Sequence, residues 1–278
     1  MPHTLAYLAN CSLLFAEQQL LDRPAAAKTA GFDAIEFWWP FDEAVPADHA
    51  VDEFIAAVGD SGVQLVGLNF FAGNLAGADA GLASIPGRSQ EFRDGVDVAV
   101  GIAGALKASV FNALYGVRLE SATAAEQDEV ATENLAYAAD AAATIGATIL
   151  IEPLSGPKPY PLRTADDAVA VVQRVRAAGA ANVGWLCDLY HLATNGDDLD
   201  AAIGTHHREI AHVQIADAPG RGEPGTGSID FERHLSDLQR AGYAGWVGLE
   251  YIPTTNTEDS LRWLPRERRG TSGQPVRP

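Results

Sequence analysis

Lysine is scarce in this chain, three among 278 residues, and 37 acidic side chains oppose 19 basic ones to give a formal net charge of −18. That balance argues against a nucleic-acid partner, which would need clustered Lys and Arg to meet its phosphates. Only two cysteines occur, Cys11 and Cys187. They lack metal-finger spacing, and two thiols in so long a chain do not make a disulfide scaffold, so both are expected to be buried and free. No apolar run approaches the roughly 18 residues of a membrane span, and no basic stretch precedes the apolar residues of the N-terminus. A cytoplasmic protein with no membrane contact is therefore expected. The composition does supply an acidic, soluble surface and enough apolar residues, 47%, for a substantial core.

Short β-branched or apolar runs alternate with helix-like segments along the chain. Strands are expected at 4–10, 33–37, 63–69, 109–114, 147–152, 182–187, 210–215 and 246–251. Helices are expected between them at 17–30, 48–60, 88–106, 123–145, 164–178, 197–203 and 231–241, with a short one at 257–264. The phrases AGFDAIEF, SGVQLVGL, IGATILIE and AGYAGWVGLE repeat one helix-end-to-strand unit. Such alternation implies parallel strands joined by right-handed crossovers. Eight units in about 250 residues fit a single (β/α)8 TIM barrel better than two domains. Residues 1–264 are read as that barrel and 265–278, PRERRGTSGQPVRP, as a disordered basic tail with too few apolar residues to pack.

Four late strands end on a polar side chain: ATILIEP on Glu152, NVGWLCD on Asp188, IAHVQIAD on Gln214 and GWVGLEY on Glu250. In a closed parallel barrel these ends open on one mouth, so residues nearly a hundred positions apart would converge. A single strand-end acid is ordinarily a helix cap or an ion-pair member, but four on consecutive strands point to a shared site. All four offer oxygen, which suits magnesium or manganese. Three carboxylates around one divalent ion leave a net charge of −1, so one can still accept a substrate proton. An α-hydroxy carbonyl chelated there would isomerise through an enediolate.

The segments IEPLSGPKPYPLRT, CDLYH, HVQIADAPGRGEPGTGSI and GYAGWVGLEY, in that order and spacing, resemble the hydroxypyruvate isomerase family of the xylose-isomerase-like barrel superfamily, over about residues 5–264. The resemblance implies a divalent metal on Glu152, Asp188, Gln214 and Glu250, with Glu152 and Glu250 as the acid/base pair. Related ketose epimerases usually carry a histidine where Gln214 stands, so the amide leans towards the isomerases. The implied reaction interconverts hydroxypyruvate and tartronate semialdehyde. A 2-oxo-tetronate isomerase or a ketose 3-epimerase would use the same site, and a non-catalytic sugar-binding barrel is a further alternative. The endonuclease branch of the superfamily needs a histidine-rich zinc cluster and a basic groove, which this composition does not offer.

A small acidic substrate needs cationic or polar partners. Candidates are His191, three residues past Asp188, Lys158 and Arg221 on adjoining loops, and Asn69 and Asn112 at the third and fourth strand ends. The aromatic run Phe37, Trp38, Trp39 and Phe41 could wall the mouth or equally pack in the core or at an interface; a homo-oligomer is compatible with this reading. GEPGTG lacks the Lys-Ser/Thr of a phosphate loop and is read as a shaped loop whose backbone amides could help an anion. His206 and His207 precede a strand and belong to the barrel's far end.

Overall fold

In the computed structural model, which describes residues 3–270, eight parallel strands close a barrel in sequence order. They are β1 (Tyr7–Asn10), β2 (Ala34–Phe37), β3 (Gln64–Asn69), β4 (Val110–Asn112), β5 (Thr148–Ile151), β6 (Val183–Asp188), β7 (Ile210–Ile215) and β8 (Val247–Leu249). Eight helices of at least seven residues surround them: α1 (Arg23–Ala30), α2 (Asp48–Ser61), α3 (Ser89–Leu106), α4 (Ala124–Ala143), α5 (Ala165–Ala177), α6 (Leu189–Asn195), α7 (Leu199–His206) and α8 (Phe231–Arg240). Capping boxes start α4 at Thr123 with Glu126 and α5 at Thr164 with Asp167. Each gives the first turn's free N–H groups an acceptor. Gly31 and Gly62 end α1 and α2 in the left-handed conformation that glycine enters most cheaply.

Two departures from the sequence reading matter. A helix, α6, directly follows β6 with Asp188 as its N-cap, where no helix was expected. Residues 265–270, read as the start of a disordered tail, are held in place: Arg266–Arg268 form a 3-10 turn, and Arg268 and Arg269 donate to the carbonyls of His3, Ala30, Leu261 and Leu264. Four guanidinium bonds to backbone replace the apolar packing this segment lacks. The rest of the expected tail, 271–278, lies outside the described residues. No helix among the described residues is long and apolar enough to cross a membrane.

Side chains alternate in and out along each strand. Leu8, Ala34, Val66 and Trp246, at the strands' beginnings, pack into a small apolar cluster of their own. The large core, including Phe111, Ile149, Trp185 and Leu249, surrounds the barrel where helices cover strands. Above the small cluster the inward positions turn polar, with Asn10, Glu36, His212, Gln214 and Glu250 all buried. Register sets their order: Asn10 pairs with Glu36, Asp188 with Gln214, and Gln214 with Gly248, two residues before Glu250.

Candidate active site

Glu152, Asp188, Gln214 and Glu250 stand at the strands' C-terminal ends, each 4% exposed or less. Asp188 is the N-cap of α6: its Oδ1 accepts the backbone N–H groups of Tyr190 at 2.8 Å and His191 at 3.3 Å. This turns His191 back over the mouth, where its Nε2 lies 3.7 Å from Asp188 Oδ2 and 3.9 Å from Glu152 Oε1. Asn112 Nδ2 donates to Glu152 Oε2 at 2.6 Å. Glu250 takes Arg221 on one oxygen and Asn10 Nδ2, at 3.2 Å, on the other.

Burial, more than neighbouring charge, raises the pKa of these carboxyls. Burial, then the charges of Glu250 and Asp188, pushes Glu152 well above the usual carboxylate range. Burial lifts Asp188 to about 6 and Glu250 to about 8 against the opposing pull of Arg221. A cation would relieve this crowding, and acceptors for one are in place: Glu152 Oε1, Asn112 Oδ1 and Gln214 Oε1 are buried without partners. An all-oxygen set of this kind fits a hard divalent ion.

One ligand atom each from Glu152, Asp188 and His191 also falls within 4.8 Å of the others, so this buried group is able to hold a metal. His191 nevertheless suits another role. Its Nδ1 accepts the Ser155 backbone N–H at 2.9 Å, which leaves the ring proton on Nε2. Burial, then the Arg221 charge, holds its pKa well below the usual value, so the ring is neutral. His191 therefore presents an N–H to the space beside Glu152 and Asp188, a donor rather than a lone pair.

The remaining candidates divide. Arg221 lies over Trp38 and Tyr190, 5.7 and 5.3 Å from their ring centroids. Burial opposes its charge, but Glu250, Asp188 and Glu152 outweigh burial and raise its pKa. Lys158 borders the same cavity as Glu152 and Arg221, yet its ammonium donates to the carbonyls of Leu75 and Asp79 on the loop after β3, at 2.7 and 2.6 Å. Asn69 borders that cavity too. Two amides of the GEPGTG loop are committed elsewhere: those of Gly225 and Gly227, with that of Ile229, donate to buried Asp217. The aromatic run splits, Trp38 facing the mouth while Phe37 and Phe41 pack on Phe54. Both cysteines are buried and free.

Sequence reading did not single out Asn10, Glu36, Ser155 or Tyr190. Glu36 carried a signal, an acid inside the apolar run Ala34–Phe37. The contacts of Asn10 and Ser155 depend on partners 240 and 36 residues away and had none.

The family model described as xylose isomerase-like TIM barrel matches residues 24–267. A Streptomyces coelicolor protein provisionally named a hydroxypyruvate isomerase is 51% identical over 92% of this chain and 94% of its own. The chain belongs to the hydroxypyruvate isomerase family of these barrels. Hydroxypyruvate isomerase of Escherichia coli is 34% identical over 94% of this chain and 98% of its own length. 2-Oxo-tetronate isomerase of Cupriavidus necator is 34% identical over 93% and 96%. A Brucella melitensis structure described as an AP endonuclease of family 2 superposes with a TM-score of 0.86, at 36% identity, over 96% of this chain and all of that one. The segments that carried the resemblance in the sequence thus led to the right family, and its curated members here are isomerases. Among the described residues the group able to hold a metal contains a single histidine, His191.

Proposed function

We propose that this isomerase interconverts hydroxypyruvate and 2-hydroxy-3-oxopropanoate, with Glu152, Asp188, Gln214 and Glu250 holding a magnesium or manganese ion. The observation that carries the reading is the facing pair at the mouth: Glu152 Oε1, an acceptor without a partner, and the Nε2–H of neutral His191, 3.9 Å apart. A base and an oxygen-directed donor meeting in one buried space are what a 1,2-proton transfer requires. When bound, the ion supplies positive charge to the two oxygens of an α-hydroxy carbonyl and so acidifies the intervening C–H.

Glu152 takes the C3 proton and returns it to C2 of the enediolate. The hydroxyl proton passes from O3 to O2, which completes the isomerisation with no net gain or loss of atoms. His191 donates to the substrate oxygen that gains charge. Glu250, with one oxygen on Arg221 and the other on Asn10, is the second acid/base group. Arg221 receives the substrate carboxylate, and Asn112 fixes the plane of Glu152 through its 2.6 Å bond. Lys158 supports binding indirectly, by holding the loop after β3 over the cavity.

A 2-oxo-tetronate is the second reading, and one feature favours it. The cavity at the acids, about 280 Å³, shares Trp38, Asn69 and Leu75 with a neighbour of about 590 Å³, so there is room for another carbon. The test is purified protein with Mg2+ or Mn2+, offered hydroxypyruvate, 2-oxo-tetronates and free ketoses, with products identified by NMR. Hydroxypyruvate deuterated at C3 should deliver part of its label to C2. Ketohexose turnover far faster than hydroxypyruvate turnover would overturn the isomerase assignment in favour of an epimerase.

A further inference from the structure

Beneath the three acids at the mouth lies a fourth carboxyl, Glu36 of β2, 3% exposed and enclosed by the barrel. Its Oε1 accepts Gln214 Nε2 at 2.8 Å and Asn10 Nδ2 at 3.1 Å, and its Oε2 lies 2.8 Å from His212 Nε2. Space for it is made by Gly248, where an added Cβ would come within 2.6 Å of Glu36 Oε1 and 3.0 Å of Gln214 Cγ. A buried carboxylate is costly unless donors surround it, and this one has them from β1 and β7.

The consequence falls on Gln214. An amide can present its oxygen or its NH2 in either direction at nearly equal shape. A carboxylate only accepts, so Glu36 tolerates the NH2 and repels the oxygen. Gln214 Oε1 is thereby turned away from Glu36 and is left buried with no partner. Asn10 is constrained the same way: its NH2 bridges Glu36 and Glu250, while its oxygen accepts the Ser12 N–H at 3.1 Å.

We propose that Glu36 is a positioning residue that fixes the amide of Gln214 with its oxygen towards the cation, making glutamine usable as an oxygen ligand. The inference rests on the metal reading above. It predicts that the side chain at 36 is needed for what Gln214 presents, not for the barrel itself. Outer residues that orient metal ligands typically change affinity by about ten- to a hundredfold.

The test is Mn2+ binding by calorimetry on the wild type, Glu36→Gln, and the exchanged pair Glu36→Gln with Gln214→Glu, each with its metal-free melting curve. Glu36→Gln no longer selects one amide orientation, and its Mn2+ affinity should fall at least tenfold. The exchanged pair keeps the total charge and puts a carboxylate at 214, which presents oxygen whichever way it turns; its affinity should return to within about threefold of wild type. Unchanged affinity in Glu36→Gln overturns the inference, and so does an exchanged pair that stays as weak as the single variant while melting like the wild type. If Glu36→Gln fails to fold, the exchanged pair decides alone: wild-type affinity supports the role, and lost affinity or lost folding overturns it. Absence of Mn2+ binding by the wild type would instead overturn the metal reading, and the Glu36 role with it.

Discussion

The two halves of the barrel end their strands differently. The first four finish on Asn10, Phe37, Asn69 and Asn112, the last four on Glu152, Asp188, Gln214 and Glu250, counting the residue that closes or follows each strand and the inward Gln214. The early half therefore ends on three asparagines where the late half ends on three acids. The early half is not idle: Asn112 donates to Glu152, and Asn10 donates to Glu250. Charge is gathered in the late half and oriented by neutral donors on the early strands that adjoin it, β4 beside β5 and β1 beside β8. Amides can do this without adding positive charge, so the acids remain available to a cation. The one carboxyl the early half does bring inside, Glu36, is held by neighbouring donors.

The comparison breaks most severely if an acid of the late half is turned into an amide. Glu152→Gln keeps the shape and the approach of Asn112, but removes the proposed base and one charge for the proposed ion. Turnover should fall by at least about a thousandfold, roughly 4 kcal/mol in the barrier. The measurement is NMR turnover at saturating metal, beside a circular dichroism spectrum like that of the wild type. A loss below tenfold would remove Glu152 from proton transfer.

The next effect is on stability. In the folded protein the carboxyls of Asp188 and Glu250 titrate near 6 and 8, raised chiefly by burial. Unfolded carboxyls titrate near ~4. The folded state thus binds protons more tightly, and the stability this confers is present below about pH 4 and lost as pH rises through 6 and 8. In chelator the melting temperature should drop by about 5 °C between pH 5.5 and 8. Mn2+ should raise it more at pH 8 than at pH 5.5, and Glu250→Gln should flatten the slope. A chelated protein equally stable at both values would contradict the upward shift of these buried carboxyls.

The halves were not equally legible in the sequence. Late strands announce themselves because Glu152 and Asp188 interrupt long β-branched or apolar runs, a local signal that needs no partner. Strand alternation showed the barrel for the same reason, each unit repeating one short pattern. Early-half functions are relational: Asn10 matters because Glu250, 240 residues away, comes within 3.2 Å of it. The α6 helix was missed because Asp188 ends a strand and caps a helix at once, leaving no linker to read. Lys158 was read as facing the substrate. Its bonds to Leu75 and Asp79 depend on how the loop after β3 folds back, which no periodicity encodes.

Arg221 is the cation that the late half keeps for itself, so altering it tests whether the acids need a guanidinium as well as an ion. Arg221→Met should leave Trp38 and Tyr190 covered while removing the fork that meets a carboxylate. kcat/KM should fall about a hundredfold, with most of the change in KM. A change confined to kcat would shift Arg221 from binding the substrate to tuning Glu250. Asn112→Ala, which frees Glu152 without changing any charge, should cost about tenfold. If its kinetics match the wild type, the idea that early-half amides orient late-half acids loses its clearest example.

The smallest effect is expected where the halves are laced together by a side chain that touches neither the acids nor the proposed ion. Lys158 comes from the loop after β5 and donates to Leu75 and Asp79 across the mouth, and Arg88 holds Asp79 from beneath at 2.9 Å. Lys158→Met keeps much of the aliphatic stem and deletes the two ammonium bonds. The loop should open more often, so substrate escapes more readily before reacting, while the bound complex reacts as before. KM should rise about threefold with kcat unchanged, and proteolysis within residues 73–80 should quicken in the absence of substrate. A KM rise of a hundredfold would place the ammonium on the substrate carboxylate instead, beside Arg221, and loop cleavage at the wild-type rate would confirm that the lacing is not its task.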